Sequence, residues 1–209
     1  GQPFAELLER KELYQDRFIL LSSGPYSGVA AGALGLPEER WLELSRTIRL
    51  EHECAHYFTR RVLGSMRNTL HDELLADYAG LTAALGHFPA DWFLRFLGLE
   101  DLPRVRPDGR LQSYRGEPPL SDAALAVLAR LVRAAAHNLE KSDGACGDAD
   151  DSPARPSHPA WLERRGRRLL ELARLTLEDL AAGCAPGLPS ADPLPTRERT
   201  GAPISQKTI

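Results

Sequence analysis

The chain has 209 residues, 43% hydrophobic and 26% charged, which suits an ordinary globular unit with a sizeable core and excludes collagen-like and wholly disordered readings. Its 26 basic and 29 acidic side chains leave a formal net charge of −3, so there is no global field to capture nucleic acid or an anionic membrane. The most apolar run, Ala123 to Ala136, is interrupted by Arg130 and Arg133 and is too short to span a bilayer.

Residues 1–10 lack the basic-then-apolar layout of a secretory signal. Cys54, Cys146 and Cys184 are an odd, unclustered set, which reads as reduced thiols rather than a disulfide framework. A cytoplasmic setting is expected, with no nucleic-acid partner and no membrane partner. The oligomeric state is left open.

In chain order, residues 4–17 carry Phe4, Leu7, Leu8 and Leu13 at helical spacing. The run Arg17 to Leu21 is short and apolar enough for a strand, and the Gly- and Pro-rich stretch after it reads as a loop. Pro37, Glu38 and Glu39 open a long helix, with proline tolerated in the first turn and carboxylates favoured at the positive end of the dipole. That helix is expected to reach Leu63 and stop at Gly64. A second spans Asp72 to Leu85. A third, short one runs from Pro89 to Phe96, with Phe88, Trp92, Phe93 and Phe96 as core packing.

Residues 99–120 form a loop long enough to suspect a role in function. Ser121 and Asp122 cap a helix to about Leu139, and 141–157 has the small, acidic composition of a linker. A last helix covers Pro159 to Ala182, its Arg164, Arg165, Arg167 and Arg168 reading as a solvated face. The expected layout is a metal-binding helical domain over 1–140, a linker over 141–157, a C-terminal helix at 158–183 packed on the same domain, and a flexible tail over 184–209. The fold class is mainly α, with at most a small β element near the N-terminus.

The segment Glu51 to Phe58 carries the chemistry, because it contains His52-Glu53-x-x-His56. At 100° per residue, His52 and His56 stand about 40° apart on adjacent turns, so both imidazoles reach one cation. Glu53 falls about 60° from His56, beside the ligand line, where a base acting on a metal-bound water belongs. Trp41, Leu44, Ile48 and Ala55 share the histidines' stripe, which makes it the inward face. Cys54 points nearly opposite to His52 and is a poor ligand.

Two histidines leave the cation short of a protein ligand. Glu73 and Asp77 lie one turn apart on the next helix, on a stripe otherwise apolar with Gly80, Leu81 and Ala84. Carboxylates there are costly unless they meet a cation. Glu73 suits the cation itself, and Asp77 suits the free N–H of a ligand imidazole.

The combination His52-Glu53-x-x-His56 with Glu73-x-x-Ala76-Asp77 resembles the gluzincin class of zinc metallopeptidases over residues 48–80. The resemblance implies zinc held by His52, His56 and Glu73, with Glu53 as catalytic base, Asp77 as orienting partner, and a peptide or small amide substrate. The gap of 16 residues between His56 and Glu73 is short, and the sheet of that class is hard to find here. Tyr114, Arg115 and His137 remain open as groups to stabilise an oxyanion.

The same two histidines and one carboxylate also match mononuclear non-haem iron oxygenases, with Fe2+ in place of zinc. A third alternative is a non-catalytic helical module in which metal only ties two helices together, with His71 as fourth ligand, or in which no metal binds. A di-iron bundle wants a second Glu-x-x-His, which the sequence lacks.

Overall fold

The computed structural model describes residues 19–64, 69–147 and 159–184. Among these the fold is all-helical: α1 is Glu38–Val62, α2 Thr69–Leu85, α3 Ala90–Leu97, α4 Asp122–Gly147, α5 Pro159–Leu172 and α6 Leu177–Ala181. Three short 3-10 turns, Tyr26–Gly28, Ala31–Leu34 and Arg110–Tyr114, complete it. No described helix is long and apolar enough to cross a membrane. The helix expected over 4–17 and the tail beyond Cys184 lie outside the described residues.

The amphipathic stripe of α1 buries as its spacing requires. Trp41, Leu44, Ile48, His52, Ala55 and Thr59 are all buried, and the helix ends at Gly64 with φ 77°, a conformation only glycine adopts without strain. By contrast α2 is buried nearly all round, from Leu70 to Leu81, as befits a central helix covered on several sides. Gly80 permits its closeness to α1, since a Cβ there would sit 2.6 Å from the Ile48 carbonyl oxygen. The two helices that carry the motif residues are therefore pressed backbone to backbone at this point.

Helix α4 packs on α3 and α6, and α5 lies against α2. The aromatic cluster is core: Phe88, Phe93 and Phe96 are almost wholly buried. The loop before α1 is strapped to it. Arg49 donates to the carbonyls of Ser22 (2.8 Å) and Gly24 (3.0 Å), the Tyr26 N–H to Ser45 (3.0 Å), and the Trp41 indole to the Val29 carbonyl (2.7 Å).

Four local expectations are corrected. Of the expected strand Arg17 to Leu21, residues 17–18 lie outside the described residues, and Ile19, Leu20 and Leu21 are irregular and solvent-exposed, Leu20 at 85%, with no strand among the described residues to take up their ladder hydrogen bonds. Helix α4 continues through Lys141 to Gly147, the first part of the linker expected over 141–157, while 148–157 lie outside the described residues. The polar residues there have partners: Asp143 accepts from the Tyr78 hydroxyl (2.6 Å) and the Phe88 N–H (2.9 Å), and Ser142 pairs with Arg168. The last helix is broken at 173–176, where Thr176 and Asp179 form a capping box that starts α6. Its arginines are not a uniformly solvated face either. Arg165 reaches inward to Glu51 (2.5 Å) and the Ala79 carbonyl (3.0 Å) while stacking over Trp161.

Candidate metal centre

His52 and His56 come from adjacent turns of α1 and Glu73 from the facing turn of α2. One donor atom from each lies within 4.8 Å of the other two. The two Nε2 atoms are 3.0 Å apart, His56 Nε2 is 3.3 Å from Glu73 Oε1, and His52 Nε2 is 3.6 Å from Glu73 Oε2. Donors about 2.0–2.1 Å from a tetrahedral zinc stand about 3.3–3.4 Å from one another. The spacings fall around that value.

Each imidazole is held from behind by its own carboxylate. His52 Nδ1 is 2.9 Å from Asp77 Oδ1, and His56 Nδ1 is 2.9 Å from Asp72 Oδ2. An ionised carboxylate only accepts, so each Nδ1 carries the proton and each Nε2 turns its lone pair toward the other and toward Glu73. Lone pairs gathered in this way repel one another unless a proton or another cation lies between them. A proton can serve: burial alone would lower the His56 pKa, but hydrogen bonds and charge from Asp72 and Glu73 outweigh it and raise it to about 9. For Glu73 burial raises the pKa, yet His56 and Arg110 prevail and hold it below the usual carboxylate range. Asp72 is likewise lowered, by His56 against burial.

Asp77, fully buried, is the hub of the network. It accepts from the Tyr26 hydroxyl at 2.5 Å, from His52, and from Arg110, which pairs with Oδ2. These partners overcome a strong desolvation effect and keep its pKa at about 2. The Tyr26 oxygen also lies 2.8 Å from His52 Nδ1. Tyr26 is delivered by a turn in which Ser27 adopts φ 53°, rare for a side-chain-bearing residue, fixed by a hydrogen bond to the Phe96 carbonyl. Behind His56, Thr59 donates to Asp72 (3.1 Å) and to the His56 carbonyl (3.1 Å).

The 99–120 segment supplies the opposite wall. Its 3-10 turn, anchored by buried Leu111, presents Arg110 and Tyr114. Arg110 Nη1 lies 3.9 Å from Glu73 Oε2, and Tyr114 faces Glu73, with burial and then the Glu73 charge raising its phenol pKa. The other two open candidates for the oxyanion are elsewhere. Arg115 pairs with Asp122 (2.6 Å) and His137 with Glu140 (3.8 Å).

His52, His56, Glu73 and Asp77 thus come together as their spacing suggests. Glu53 is half-buried, outside the three-donor cluster, and makes no hydrogen bond or ion pair with the described residues. His71 is also outside the cluster; it is buried and interacts with the Leu172 backbone. Asp72, Tyr26, Arg110 and Thr59 were not evident from the sequence. Asp72 carries a faint signal, as a second acid directly before Glu73 on the same helix. Tyr26 and Arg110 carry none, being 51 and 33 residues from Asp77 in the chain.

A family model described as a family of unknown function (DUF7005) matches residues 1–183. The chain belongs to that family. No curated protein and no solved structure matches it.

Proposed function

We propose that the protein is a metal-dependent hydrolase, a zinc metallopeptidase acting on a peptide or small amide bond, of the kind the gluzincin resemblance implies. One observation carries the reading. Two imidazole Nε2 atoms 3.0 Å apart converge on Glu73 while both Nδ1 atoms are tied to carboxylates. Nitrogen and oxygen donors at this spacing fit zinc, and three protein ligands leave a fourth position open, as catalytic rather than structural sites do. A divalent cation bound there supplies Lewis acidity to a water and to the scissile carbonyl.

The chain's own residues supply the rest. Glu53, adjacent to His52 in sequence and free of any described partner, is the group to take a water proton and return it to the leaving amine. Its neighbours by contrast are committed: Glu51 to Arg165, Asp72 to His56 and Asp77 to Arg110. Tyr114 keeps its proton, because burial and the Glu73 carboxylate oppose ionisation, and so can donate to an oxyanion.

The test is hydrolysis of a mixed peptide library by the zinc-loaded protein, wild type against Glu53→Gln. The variant is expected to retain zinc and lose about 10²–10⁴-fold in turnover, the usual contribution of a positioned general base. Equal hydrolysis by both removes Glu53 from the chemistry.

A further inference from the structure

We propose that Arg110 is a positioning residue of the metal centre: it clamps Asp77, which holds the His52 imidazole with Nε2 turned to the cation, and so ties metal affinity to the 99–120 segment. The inference rests on the metal reading above. Asp77 has two oxygens with separate duties. Oδ1 takes the Tyr26 hydroxyl (2.5 Å) and His52 Nδ1 (2.9 Å), while Oδ2 takes Arg110 Nη2. Remove the guanidinium and Oδ2, buried with the rest of the side chain, keeps no described partner; the carboxylate is then free to turn about χ2.

The same planar group lies 3.3 Å from the Tyr26 oxygen and 3.9 Å from Glu73 Oε2. One guanidinium thereby spans a ligand, the carboxylate behind another ligand, and the tyrosine that shares it. A lysine ammonium on a flexible stem cannot bridge three such groups at once. Both Nη atoms are committed inside the protein, which argues for a positioning role over direct substrate contact.

The clamp is itself held rigidly. Gly109, immediately before Arg110, is packed so closely on the end of α3 that a Cβ would lie 2.6 Å from the Leu97 carbonyl oxygen and 2.8 Å from Gly98 Cα. The Arg106 N–H donates to the Gly98 carbonyl at 2.9 Å, and its side chain reaches the Arg95 carbonyl. The excursion between Gly98 and Gly109 is closed at its base, and Leu111 is sunk in the core. Arg110 therefore has little freedom to follow Asp77. The pairing sets where Asp77 points.

The test uses full-length protein and zinc alone. Zinc affinity is measured by competition with a chromophoric chelator for wild type, Arg110→Lys and Arg110→Gln, at a temperature where circular dichroism shows each variant folded. Residues that orient metal ligands typically account for 10–100-fold in affinity. A loss of that size is expected in Arg110→Gln, with a smaller loss in Arg110→Lys, which keeps a cation beside Asp77. Long-range 15N–1H spectra of His52 supply a readout that a merely structural role would not move: a single Nδ1–H tautomer in zinc-free wild type and a mixture in Arg110→Gln. Should Arg110→Gln fail to fold, Arg110→Lys decides. Zinc affinity within twofold of wild type in the folded variants overturns the positioning role alone. Wild-type protein that binds no zinc overturns the metal reading beneath it.

Discussion

Gly80 links the fold to the site, and replacing it by alanine tests that link quantitatively. The new Cβ would lie 2.6 Å from the Ile48 carbonyl oxygen and 3.0 Å from Ile48 Cγ2. Relaxing the shorter contact to an ordinary separation moves α1 and α2 apart by roughly 0.5–0.8 Å. Overpacking of this kind costs about 1–3 kcal/mol, partly offset by the roughly 1 kcal/mol that alanine gains over glycine inside a helix. The net expectation is about 1 kcal/mol, a fall of about 2–4 °C in the melting temperature of the metal-free protein for a chain of this size. Ile48 lies one turn before His52, and Gly80 about one turn after Asp77. The separation therefore falls on the 2.9 Å His52–Asp77 contact, and zinc affinity should drop about tenfold, the lower end for a disturbed ligand-orienting contact. Melting by circular dichroism and chelator competition read both effects. A raised melting temperature with unchanged zinc affinity, as helix propensity alone would give, refutes the close-approach argument.

Asp72→Asn should weaken zinc binding about 10–100-fold by loosening the His56 imidazole, while leaving the His52 side intact; competition titration checks this, and unchanged affinity contradicts it. Zinc must displace the proton that His56 holds up to a pH of about 9, so affinity should rise about tenfold between pH 7 and 8, and a flat profile contradicts that linkage. Stability of the metal-free protein should decline toward both extremes of pH. The folded His56 pKa lies above its ordinary 6.5, so its contribution is complete below that value and is lost as pH rises through about 9. The Asp77 pKa of about 2 lies below its ordinary 3.8, so its contribution is present above 3.8 and lost as pH falls toward 2. Urea melts across pH check both signs. A monotonic dependence rules out one of them.

What the sequence could disclose was whatever is encoded within a few turns of one helix. The i, i+4 spacing of His52 and His56, the inward stripe of α1, and the Glu73–Asp77 pair on an otherwise apolar face are all local, and they converge as helix geometry requires. The ends of α1 and α2 at Gly64 and Gly86 were legible because positive φ at a helix exit is a glycine signature. Tertiary partners were not legible. Arg110 reads as one basic residue in a polar loop, and only the packing of Gly98 on Gly109 explains why it is fixed against Asp77. Tyr26 reads as a loop aromatic, yet the left-handed Ser27 turn inserts it beside His52. The misread strand at Ile19–Leu21 and the misread linker at 141–147 fail for one reason. Composition reports what a segment can do alone, whereas Asp143 and Ser142 are stabilised in α4 by Tyr78, Phe88 and Arg168 from distant elements.

The most direct measurement is the metal content of the protein expressed and purified without chelators, by inductively coupled plasma mass spectrometry, alongside a His56→Ala control. Close to one zinc per chain in the wild type and a large loss in the control is the expected result. No stoichiometric metal contradicts the convergence of His52, His56 and Glu73 on a cation, and stoichiometric iron with dioxygen uptake contradicts hydrolysis as its purpose.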